Sequence, residues 1–127
     1  MALNFKNYTF YNWTPHTVDV YDNVSDELSM SVPSDGVIRL IEKTHKYDST
    51  FGFPVHTVRY AGPDMDLPSQ APDVFHIMSR DTARGFPGRT DILFPYPLRR
   101  DKDKRINGCY GLRTFPYTQE QLNRGTP

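Results

Sequence analysis

Val74-Phe75-His76-Ile77-Met78-Ser79-Arg80-Asp81-Thr82-Ala83-Arg84, followed beyond a Gly/Pro turn by Thr90-Asp91-Ile92-Leu93-Phe94, carries most of the fold information in this chain. The apolar run 74–78 is short and rich in β-branched and aromatic residues, so it reads as a strand. Ser79 is placed to cap a short helix over residues 80–84, its hydroxyl accepting from a backbone N–H of the first turn. A helix this brief falls short of the dozen or more residues that a parallel crossover needs. The strand over 90–94 is therefore expected to pair antiparallel, or with another neighbour.

Outward from this stretch the pattern stays β-like. Eleven prolines in 127 residues leave no room for a long helix. Residues 5–12 are dense in aromatics and read as one strand. Residues 16–21 alternate, with His16, Val18 and Val20 on one face and Thr17, Asp19 and Tyr21 on the other. Residues 28–32 alternate again, 37–41 and 53–60 read as further strands, and 43–52 and 61–72 as polar loops. Residues 97–100 and 105–112 flank Asp101-Lys102-Asp103-Lys104, a hairpin with a four-residue turn. No repeat or linker interrupts the chain. The expected architecture is mainly β (α+β): a single compact domain over 1–127, mostly antiparallel, with one short helix.

Composition narrows the function classes. Fifteen basic and fifteen acidic residues cancel, which argues against bulk nucleic-acid binding. No apolar run approaches the ~20 residues that span a bilayer, and residues 1–6 lack a secretory pattern, so no membrane partner is expected. One cysteine, Cys109, excludes an internal disulfide and a multi-thiolate zinc site, and a reducing, intracellular setting is the expectation. The charge is unevenly placed, however: residues 79–113 hold nine bases and four acids. Such a segment is either a solvated surface laced with Arg–Asp pairs or a face that attracts an anion.

Catalytic constellations are not legible. His-Thr-Val occurs at His16 and His56, but adjacent strand residues face opposite ways, so the pair cannot act together on one phosphate. His16, His45, His56 and His76 lack zinc-type spacing, and no metal or other cofactor is expected. His76, inside an apolar run, is expected to bond a backbone carbonyl. Cys109 between glycines reads as a small core residue rather than a nucleophile. Residues 85–91 hold glycines but no Lys-Ser/Thr pair and no following helix, so they form a turn, with Arg89 and Asp91 paired or capping backbone.

Two motif groups stand out: Asn12-x-Thr14-Pro15-His16 before a Val-x-Val strand, and Gly88-Arg89-x-Asp91-Ile92-Leu93-x-Pro95, Arg100-Asp101 and Arg105-Ile106-x-Gly108-Cys109 with Leu112. Together they resemble a family of small proteins of bacteriophages, prophages and bacterial genomes. Its members begin near Asn-Leu-Thr-Pro-His and end close to Gly-Arg-Ile-Ile-Gly-Cys. The resemblance attaches no activity to Thr14, His16, Arg89, Asp91, Arg100, Asp101, Arg105 or Cys109.

The leading expectation is a non-enzymatic binding protein of phage or prophage type, engaging a host protein or a nucleotide-like anion. Arg89, Arg99, Arg100 and Arg105 supply charge-assisted hydrogen bonds, Tyr96 or Tyr110 a stacking surface, and His16 and Thr14 polar neighbours, with Asp91 also among the candidate site residues. One alternative is a structural protein, either a virion component or a homo-oligomer. Another is a small enzyme using His16 with Asp91 or Cys109. The leading expectation requires the four arginines to share one concave face with His16.

Overall fold

Lys6 and Asn7 both adopt positive φ, 48° and 70°, the signature of a two-residue hairpin turn. In the computed structural model, which describes residues 2–47 and 52–115, the aromatic run 5–12 is therefore not one strand. It divides into β1 (Leu3–Phe5) and β2 (Tyr8–Asn12), paired antiparallel. Then follow β3 (Val18–Tyr21), β4 (Leu28–Val32), β5 (Leu40–Tyr47), β6 (Val55–Pro63) and β7 (Val74–Ile77). The helix α1 (Arg80–Ala83) precedes β8 (Ile92–Pro95), β9 (Leu98–Arg100), β10 (Ile106–Cys109) and β11 (Leu112–Arg113). The protein is mainly β, a single compact domain with one short helix among the described residues, as the sequence indicates.

A five-stranded sheet has the order β1-β2-β7-β8-β11, and a four-stranded sheet the order β4-β3-β10-β9. Antiparallel pairs dominate, but β2, β7 and β8 run parallel, with His76 beside Ile92 and Ile77 beside Leu93, and β3 pairs parallel with β10. This corrects the expectation that residues 90–94 pair antiparallel or elsewhere. The crossover between β7 and β8 spans residues 78–91, fourteen in all, and α1 is only part of it. The length of the whole connection satisfies the crossover requirement, and a longer helix is not needed. Ser79 caps α1 as expected, its hydroxyl accepting from the Thr82 N–H.

The two sheets face each other across one apolar layer. Phe10, Phe75, Ile77, Leu93 and Leu112 from the larger sheet meet Val18, Val20, Met30, Val32 and Cys109 from the smaller. The opposite face of the larger sheet carries Ile92 and Phe94, covered by Ile38, Ala83, Phe86 and Leu67. Parallel central strands buried on both faces have near-continuous apolar sequences, which is why 74–78 shows no alternation.

Four further expectations change. The polar loop expected over 43–52 is strand as far as Tyr47, because β5 extends to pair with β6 from Leu40 beside Pro63 to Tyr47 beside Val55; residues 48–51 lie outside the described set. The strand expected over 37–41 begins only at Leu40, and β6 replaces the start of the 61–72 loop as far as Pro63. The strand expected over 105–112 is interrupted: β10 pairs with β9, then the chain changes sheets and β11 pairs with β8. Tyr110 N–H bonds the Pro97 carbonyl, and Tyr96 N–H bonds the Gly111 carbonyl, which fixes the corner.

Gly108 has a specific reason. Its φ is 146°, and a Cβ there would lie 2.7 Å from Tyr21 Cε2 and 3.0 Å from the Asp19 carbonyl. The Tyr21 ring therefore approaches β10 this closely only because residue 108 has no side chain. Gly108→Ala is expected to lower stability by about 1–3 kcal/mol by displacing that ring. Denaturant unfolding measures the loss, and an unchanged midpoint contradicts this packing.

Candidate functional site

Asn12, at the end of β2, has no solvent exposure, and its side-chain amide is saturated. Its Nδ2 donates to the His16 and Val32 carbonyls, both at 2.8 Å. Its Oδ1 accepts from Thr14 N–H at 2.9 Å, with the Thr14 hydroxyl 2.7 Å away. Asn12 N–H donates to Asp35 Oδ2, and its carbonyl accepts from Asp35 N–H. Thr14 is thus part of a turn that Asn12 shapes. His16 contributes its carbonyl to that turn while its residue remains exposed.

Arg89 and Asp91 form a second cluster. The guanidinium grips the buried Asp91 carboxylate through both Nε, at 2.9 Å, and Nη2. The carboxylate lies 4.0 Å from His76 Nε2, and both residues are nearly inaccessible. On its other side, His76 Nδ1 accepts from the Trp13 indole N–H at 3.0 Å rather than bonding the expected backbone carbonyl. A parallel β2–β7 pair sets Tyr11 beside His76, and their rings stack with centroids 5.3 Å apart. Burial pushes the His76 pKa down; the Asp91 charge opposes that shift and the Arg89 charge adds to it. With Nδ1 accepting, the neutral ring carries its proton on Nε2, toward Asp91.

A third cluster joins Arg99, Tyr110, Tyr21 and Asp26. The Arg99 fork donates to both Asp26 oxygens at 2.9 Å, and Tyr110 O–H donates to Oδ1 at 3.0 Å. Arg99 also stacks over the Tyr21 ring, 4.0 Å from its centre. The Arg99 and Tyr110 bonds hold the Asp26 carboxyl below the usual carboxylate range.

Arg100 and Arg105 occupy a fourth place, the β9–β10 hairpin. Arg100 Nη1 donates to the Lys104 carbonyl, and Asp101 Oδ1 accepts from Asp103 and Arg105 N–H, closing the turn. Arg100, Lys102, Lys104 and Arg105 are all exposed. Among the described residues none of these four side chains pairs with a carboxylate.

The eight candidates therefore fall into four groups, each with its own hydrogen-bond partners, and no contact gathers the four arginines with His16 into the one concave face that the leading expectation required. None of them lines the 320 Å³ cleft bounded by Leu40, Gly62, Asp81, Arg84 and Gly85. Cys109 is 1% exposed, and burial pushes its thiol pKa up, away from the thiolate a nucleophile requires. Sequence reasoning missed Asp26, the residue that organises the Arg99 cluster, because its partner lies 73 positions away. Asn12 and Gly108 appear in the quoted motifs, and the structure gives both a conformational reason.

Among the described residues no helix is long and apolar enough to cross a membrane. Comparison with protein-family models, curated proteins and solved structures finds no significant match to this chain.

The His76 pKa is lower folded than unfolded, where it lies near ~6.5. Between the two values the unfolded chain binds more protons, so acidification favours unfolding. The stability contribution is present above ~6.5 and is lost as pH falls toward the folded value. Asp22 and Asp26, also depressed, act lower, below ~4. Thermal melts are expected to show the melting temperature falling through the upper window, and His76→Gln to flatten that limb. A wild-type melting temperature constant from pH 7.5 to 5 (roughly the histidine range) contradicts a neutral buried His76.

Proposed function

We propose that this chain is a non-enzymatic binding protein of phage or prophage type that docks an acidic surface of a host protein onto the β9–β10 tip. The observation that carries the reading is how the four arginines are partnered. Arg89 is neutralised by buried Asp91 and Arg99 by Asp26. Arg100 and Arg105, with Lys102 and Lys104, keep their charge in solvent on an exposed turn, where they outnumber Asp101 and Asp103 by two. An exposed cationic turn suits a complementary surface better than an enclosed nucleotide, which needs a concave site. The sharp turn is also stiffened by the Asp101 side chain, so little ordering entropy is lost when a partner docks.

A second reading, self-association, draws on the β5–β6 ribbon. Among the described residues these strands pair only with each other, and Ile41 is 46% exposed. Isolated two-stranded ribbons are marginal in water. Light scattering over a concentration series tests it: a mass that stays monomeric removes that support.

The tip reading is tested by calorimetry with a polyglutamate peptide, for an acidic protein surface, and with ATP, for a nucleotide. The peptide is expected to bind with an affinity that falls as salt rises. The Lys102→Glu/Arg105→Glu variant is expected to weaken peptide binding by roughly tenfold or more, since like charges now face each other. Equal binding by both proteins, or none by either, overturns the tip; binding of ATP alone overturns the protein-surface assignment.

A further inference from the structure

The Arg99 cluster has the form of an occupied receptor. Three donors from two neighbouring strands of the smaller sheet converge on one carboxylate: Arg99 Nε and Nη2 from β9, and Tyr110 O–H from just beyond β10. Two-point guanidinium contact with a planar carboxylate is the strong, geometrically specific form of this interaction. The carboxylate is not supplied by the sheet. It belongs to Asp26, on the exposed 22–27 turn between β3 and β4, and its side chain is 52% exposed.

The donors are positioned by contacts that do not involve Asp26. Arg99 lies against the Tyr21 ring, and that ring rests over Gly108, where a Cβ would collide with it. Tyr110 is tied by its N–H to the Pro97 carbonyl at 2.8 Å. The 22–27 turn, in contrast, is closed by its own bonds: Asp22 Oδ1 accepts from Val24 and Ser25 N–H, and Asp22 N–H donates to the Glu27 carbonyl. None of those bonds involves the Asp26 side chain. Its outermost residue, Val24, is 91% exposed, and Asp26 itself sits at φ 58°, a conformation uncommon for non-glycine residues.

We infer that Arg99 and Tyr110 form a carboxylate-binding site, held shut by Asp26 and opened when a partner's aspartate, glutamate or C-terminal carboxylate takes the place of Asp26. The internal carboxylate competes with the external one, so apparent affinity falls by the fraction of time the site is closed. The site shares no residue with the cationic tip and stands or falls independently of it.

The test uses Asp26→Gly in the full chain, because glycine removes the carboxylate and accommodates the positive φ. Thermal melts in acetate, in phosphate and in chloride at matched ionic strength are compared with Asp26→Gly/Arg99→Gln. Acetate is expected to stabilise Asp26→Gly saturably, wild type roughly tenfold less effectively, and the double variant no more than chloride does. Stabilisation by phosphate but not acetate overturns the carboxylate assignment. Equal responses in the single and double variants overturn the site. If Asp26→Gly does not fold, Asp26→Asn is titrated with acetate and the Arg99 Nε–H resonance followed; a resonance that does not move overturns the site as well. None of these small-anion results depends on whether polyglutamate binds the tip, so the two readings fail separately.

Discussion

One buried amide couples the two sheets. Asn12 ends a strand of the larger sheet, yet its Nδ2 bonds the carbonyl of Val32, the last residue of β4 in the smaller one. The same nitrogen bonds the His16 carbonyl, and the oxygen accepts from Thr14, so the intervening turn is shaped by the residue that joins the layers. A fully satisfied buried amide adds specificity, whereas one lost partner leaves a desolvated group that costs about 1–3 kcal/mol. The apolar layer between the sheets is non-directional and would tolerate sliding. Asn12 permits one register.

The distribution of charge follows a similar logic. Arg89 serves a buried carboxylate that would otherwise lie unpaired beside a neutral histidine, and Trp13 completes that arrangement from just beyond the end of the neighbouring strand β2. Arginine 99 closes over a loop. A count of charges along 79–113 does not distinguish these from the exposed cations of the hairpin tip, because a count carries no information about partners. What a partner meets is the uncompensated remainder, which includes the hairpin turn's Arg100, Lys102, Lys104 and Arg105 and also the exposed Arg80, Arg84 and Arg113, which lie over aromatic rings.

Where local chemistry decides, the sequence is readable. Alternation identifies β3 and β4, the Ser79 hydroxyl marks the start of α1, and Asp101 and its neighbours give the β9–β10 turn. The Arg89–Asp91 pair was foreseeable from a separation of two residues. Non-local choices are less readable. Lys6-Asn7 lacks the glycine that usually advertises a tight hairpin, and the parallel β7–β8 pairing depends on how an irregular fourteen-residue connection folds back. The change of sheet at residues 110–111 is fixed by hydrogen bonds to Tyr96 and Pro97, which become neighbours only after folding. Asp26 meets Arg99 for the same reason.

Native-state hydrogen exchange on wild type and Asn12→Ala tests the coupling most directly. The backbone N–H groups of Trp13, His76 and Met78 report on the larger sheet, and those of the β3–β4 ladder report on the smaller. Asn12→Ala is predicted to reduce protection in both sets together, by at least about 2 kcal/mol, because the Val32 and His16 carbonyls lose their donor. A loss confined to one sheet, or smaller than about 1 kcal/mol, would contradict the claim that Asn12 holds the two layers as one unit.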